Sequence, residues 1–108
     1  MSYIDLKTAM TRLGNNLTLY KRLLKMFLDN SKFSELEDAL ASDDLHMAAD
    51  VAHAIKGVAG NLALEPLFAL STDLMNQLRM GLRDADTITA YRETLNLTKA
   101  EVQEFLNS

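Results

Sequence analysis

Apolar residues recur along the chain at intervals of three and four, and nowhere alternate long enough to suggest a strand. This periodicity predicts five helices. The first, Tyr3 to Leu13, places Ile4, Leu6, Met10 and Leu13 on one face and stops at Gly14-Asn15-Asn16, residues that accept left-handed backbone angles. The second, Leu17 to Ala41, carries Tyr20, Leu23, Leu24, Phe27 and Leu28, and Leu36 and Leu40 continue the stripe. Asp29-Asn30-Ser31 marks a place where it could break, although no Gly or Pro enforces one. Ser42-Asp43-Asp44 supplies loop and N-cap chemistry for a third helix, Leu45 to Leu64, which must end before Pro66. Pro66 suits the first turn of the fourth, whose Leu67, Leu70, Leu74 and Leu78 lead to Gly81. The fifth, Asp86 to Leu106, has Ile88, Tyr91, Leu95, Val102, Phe105 and Leu106 as its stripe. Thr98 interrupts it, which is tolerable if the hydroxyl bonds back to the helix.

Four long helices joined by short loops pack as an up-down-up-down antiparallel bundle, with the short N-terminal helix as an addition. The expected fold is therefore all-α, and one domain over residues 1–108 accommodates the whole chain. Each stripe finds its partner inside one bundle, so a monomer is expected.

Composition narrows the function. A net charge of −4 with no basic block argues against nucleic acid and against anionic membranes, because phosphate affinity comes from clustered Lys and Arg. The absence of cysteine removes disulfides, thiolate metal sites and thiol nucleophiles. No apolar run approaches the ~20 residues needed to cross a bilayer. Met1-Ser2-Tyr3-Ile4-Asp5 turns polar at once, so the expected location is cytoplasmic. No glycine-rich phosphate loop or nucleophile elbow is present, so no cofactor and no catalytic machinery of its own are expected.

Chemistry concentrates on the third helix. At about 100° per residue, Leu45, Ala48, Val51, Ala52, Ile55, Val58, Ala59 and Leu62 share one broad side. His53 projects from the opposite half, with Ala49 one turn before it, Gly57 one turn after and Gly60 two turns after. Glycine inside a helix costs about 1 kcal/mol relative to alanine. On a solvent face, the benefit that offsets this is an unobstructed approach to the imidazole. Glycines can instead mark close helix packing, but these lie away from the core stripe. Lys56, three residues after His53, can lean beside it and neutralise phosphoryl oxyanions. Neutral imidazole is a competent nucleophile, and phosphoryl transfer needs mainly positioning and charge stabilisation. Taken alone, an exposed histidine is most often a solvated surface residue. Its surroundings make the case.

The run Ala52-His53-Ala54-Ile55-Lys56-Gly57-Val58-Ala59-Gly60-Asn61-Leu62 resembles the signature of histidine-containing phosphotransfer (HPt) domains. Leu13-Gly14-Asn15-Asn16, followed by Tyr20, Leu23, Leu24 and Phe27, is similar to the N-terminal half of that family. The resemblance implies a phosphorelay intermediate that is not an enzyme. His53 would accept the phosphoryl group at Nε2, Lys56 would stabilise it, and Gly57 would keep the approach open. Asn61 would have a structural role near the helix end. Ala63 departs from the glycine usual in the family. The implied partners are receiver domains of response regulators and hybrid histidine kinases, docking on a patch around His53 formed by the second and third helices.

Two other readings come from the residues themselves. His46, Asp50 and His53 at i, i+4 and i+7 share a helix face and could ligate a divalent metal such as zinc; in the plainer version, Asp50 orients His53. A helical adaptor could use Met10, Met26, Met47, Met75 and Met80 as binding surface, although such residues more often fill cores.

Overall fold

The structure, a computed structural model, describes residues 2–108 and is all-helical over them. Six helices follow in order: α1 Leu6–Arg12, α2 Leu17–Leu28, α3 Lys32–Ala41, α4 Leu45–Asn61, α5 Glu65–Arg79 and α6 Ala85–Leu106. α4 packs against α3 and α5, α5 against α6, and α6 against α2, so the four arms close into a ring around one core. The body measures 40 × 23 × 22 Å. End to end, α2 and α3 would span about 33 Å at 1.5 Å per residue and so form one arm of the bundle. The predicted bundle and its additional N-terminal helix are both present.

The expected single helix from Leu17 to Ala41 is broken at the position where polar residues cluster. Asp29 closes α2, and the Asn30 side chain accepts a hydrogen bond from the Lys32 backbone N–H at 2.9 Å, which starts α3. Phe27 and Phe33 meet edge to face across the break, with centroids 5.2 Å apart. The apolar stripe therefore runs on through the interruption, which is why periodicity alone reads it as continuous.

Helix starts follow side-chain capping. Asp5, Asn16, Asp44 and Asp84 accept from the backbone N–H groups of Thr8, Leu19, Met47 and Thr87. Helix ends follow left-handed residues at Gly14, Asp43, Ala63 and Gly81. The third predicted helix thus stops at Asn61 rather than Leu64. Ala63 has φ 57°, its N–H bonds to the Gly60 carbonyl, and the Leu64 N–H reaches the Ala59 carbonyl at 2.9 Å. The departure at Ala63 therefore falls on a position where a glycine would carry no Cβ strain.

The core is built on Tyr20, Leu24, Phe27, Leu36, Leu40, Ile55, Leu67, Leu74, Tyr91 and Val102. Thr98 is fully buried, and its hydroxyl donates to the Thr94 carbonyl at 2.6 Å, which removes the cost of its place in an apolar stripe. Helix α1 begins later than predicted. Tyr3 and Ile4 precede the helix, and their N–H groups donate to the Glu101 carboxylate on α6 at 2.9–3.0 Å.

Candidate functional site

Helix α4 divides as its wheel predicts. Ala48, Val51, Ala52, Ile55, Ala59 and Leu62 are buried, Leu45 and Val58 are half-buried, and His53 is exposed on the other side. Two tertiary contacts hold the C-terminal end of α4 in place. The Tyr20 hydroxyl donates to the Leu62 carbonyl at 2.6 Å, and the Arg12 guanidinium bonds the Gly60 carbonyl. Burial, then the negative charges of Asp5 and Glu101, push the Tyr20 phenol up to about 12, so it remains a donor at neutral pH. A cation at a helix C-terminus also complements the helix dipole.

The predicted bare face is narrower than the wheel implies. Gly57 is exposed, and a Cβ built on it would meet nothing within 4 Å. Gly60 differs. A Cβ there would stand 3.1 Å from Cδ1 of Phe68 on α5, so this glycine serves close helix packing, the alternative that the sequence disfavoured. Ala49, also expected beside His53 on the bare side, is 2% exposed and belongs to the core. On the wheel Gly60 and Ala49 lie about 20° and 40° from His53, both on the side of Lys56. Helix α5 covers that side.

Among the described residues the His53 side chain makes one polar contact, which single-helix reasoning did not foresee. Its Nδ1 lies 3.3 Å from the sulfur of Met75, a residue of α5 that is only 4% exposed. Lys56 is half-buried, and its ammonium lies 5.9 Å from the centroid of the Phe68 ring. Phe68 therefore borders both Gly60 and Lys56, and the α4–α5 seam sets the surroundings of both candidate side chains.

On the other flank, between α2 and α4, runs a groove of about 710 Å³. Leu23 and Met26 line it from α2, and Val58 and Asn61 from α4. Met26 is 64% exposed there. Asn61 is exposed and lines this groove rather than closing the helix, a task the backbone around Ala63 performs.

The metal reading gains no support from this geometry. His46 Nε2 pairs with Asp50 at 3.7 Å on the open surface, while His53 turns to Met75. Asp50 is thus not the group that orients His53, and among the described residues no three His, Cys, Asp or Glu side chains converge on a metal position. The methionines do not form one adaptor surface either. Met75 is buried and Met10 half-buried, whereas Met26 on α2, Met47 on α4 and Met80 just past the end of α5 are exposed at separate places. No helix of the described residues is long and apolar enough to cross a membrane.

An exposed histidine, a neighbouring lysine and an open glycine thus share one helix of a helical bundle. The family model described as "Hpt domain" matches residues 22–107, about four-fifths of the chain. The chain belongs to the Hpt domain family. Hpt domains are phosphocarrier modules that carry out histidine phosphotransfer in phosphorelays, and are not themselves catalytic enzymes. No curated protein and no solved structure matches the chain significantly.

Proposed function

We propose that this chain is a single phosphotransfer domain, 1–108, that takes a phosphoryl group from a receiver-domain aspartate onto His53 and passes it to a response-regulator aspartate. The observation that carries this reading is the ring of His53: exposed, tethered at Nδ1 to Met75, and free at Nε2. In the accepting step the Nε2 lone pair forms the P–N bond as the aspartyl P–O bond breaks, and the carboxylate leaves with the bonding pair. No proton has to leave Nε2 first, so the chain needs no general base. The step reverses when a second aspartate attacks phosphorus.

Lys56 would neutralise the phosphoryl oxygens, and Gly57 would leave room for the incoming active site. The docking patch is the surface of α2 and α4 beside His53, where Met26, Leu23 and Val58 supply apolar area next to Gly57 and Asn61. Its partners are receiver domains of response regulators and of a hybrid histidine kinase. The chain acts as a monomer in the cytoplasm and relies on the active sites of its receiver-domain partners for chemistry.

A receiver domain phosphorylated with ³²P provides the test. Label is expected on the wild-type protein, labile to acid as a P–N bond is, and absent from His53→Gln. Equal labelling of His53→Gln would overturn the assignment.

A further inference from the structure

We infer that Met75 is a positioning residue for the accepting nitrogen: its thioether holds the hydrogen on Nδ1 and so leaves the lone pair on outward-facing Nε2. This inference rests on the phosphotransfer role proposed for His53.

A neutral imidazole has one N–H and one bare nitrogen, and which is which is set by what the ring touches. A thioether sulfur has no hydrogen to give and is a weak acceptor only. With Nδ1 at 3.3 Å from Met75 Sδ, the contact is favourable when Nδ1 carries the hydrogen and unfavourable when two lone pairs face each other. The free side chain has no such restraint and populates the other tautomer, whose N–H would occupy the very nitrogen that must attack phosphorus.

The other groups near the ring are engaged elsewhere or lie on another side. Asp50, the nearest carboxylate along the helix, pairs with His46 at 3.7 Å. The ammonium of Lys56 extends toward Phe68 on α5. Met75 itself is pinned, being 4% exposed, so its sulfur is a fixed acceptor rather than a wandering surface group. A plain core role would account for its burial. It would not account for a sulfur directed at Nδ1 of the exposed ring, whose one polar side-chain partner among the described residues it is.

Nitrogen-15 spectra of the His53 ring, recorded well above the imidazole titration range, read the tautomer directly. Wild-type protein is expected to hold mostly the Nδ1–H form. Met75→Leu keeps the bulk and removes the acceptor, so the tautomer ratio is expected to shift by about threefold or more toward Nε2–H. The phosphotransfer rate should fall in proportion to the Nδ1–H fraction that the same spectra read, because only that fraction reacts. Met75→Gln returns an acceptor at similar length and is expected to restore both. A wild-type ring already in the Nε2–H form would overturn the inference whatever the variants do, as would an unshifted ratio in folded Met75→Leu. Because the spectrum is taken on unphosphorylated protein, failure of His53 to accept label would refute its role as carrier while leaving the tautomer result to be judged separately.

Discussion

The α-carbon of Gly60 faces the ring of Phe68 so closely that a Cβ would approach its Cδ1 to 3.1 Å, whereas one turn earlier Gly57 opens on nothing. Two glycines of one motif, three residues apart, thus serve different ends: one lets α5 approach, and the other keeps α4 uncovered.

Alanine separates them. Gly57→Ala gains helix propensity without a clash and should raise stability by up to about 1 kcal/mol. Gly60→Ala must displace the Phe68 ring and is expected to be at least about 1 kcal/mol less stable than Gly57→Ala. Denaturant unfolding measures both. Phosphotransfer should move the other way for Gly57→Ala, which slows while the fold strengthens. Equal stabilisation by both alanines would contradict the packing role of Gly60.

Lys56→Ala tests charge stabilisation. Its ammonium, near the Phe68 ring at a partly exposed site, contributes little to folding, so unfolding should change by less than about 1 kcal/mol. Loss of a charge-assisted contact to phosphoryl oxygens should slow transfer by roughly tenfold. Stopped transfer kinetics with the same receiver decide it, and an unchanged rate would remove Lys56 from the site.

Tyr20→Phe removes the donor to the Leu62 carbonyl and leaves that buried oxygen unpaired, a loss of about 1–3 kcal/mol. The pH dependence has a definite sign. The phenol is ordinarily at 10.0 and is pushed up to about 12 in the fold, so the folded state holds its proton more tightly than the unfolded chain. The resulting stability is complete below pH 10 and is lost as pH rises through 12. Tyr91 is likewise pushed up by burial, so part of the alkaline loss persists in the variant. Unfolding curves between about pH 8 and about pH 11.5 should therefore fall less steeply for Tyr20→Phe than for wild type. Parallel curves would show that Tyr20 does not carry the effect.

Much of this protein is legible along the chain, because each helix reports its own inner face. Ile55 and its neighbours had to be buried whatever packed on them, so the exposure of His53 and Gly57 followed from α4 alone. Gly14, Gly81 and Pro66 marked boundaries because their backbone limits are local. The break after Leu28 was harder to see, since Phe27 and Phe33 keep the stripe in register across it.

Tertiary structure decided how wide the open face is and what touches the histidine. A helical wheel separates inside from outside, but the area a neighbouring helix covers depends on where that helix lies. Helix α5 covers Ala49 and Gly60, and it brings the Met75 sulfur to Nδ1 of His53 across 22 residues of sequence. No periodicity within α4 encodes that contact, because it arises only when two separately amphipathic helices settle into one seam.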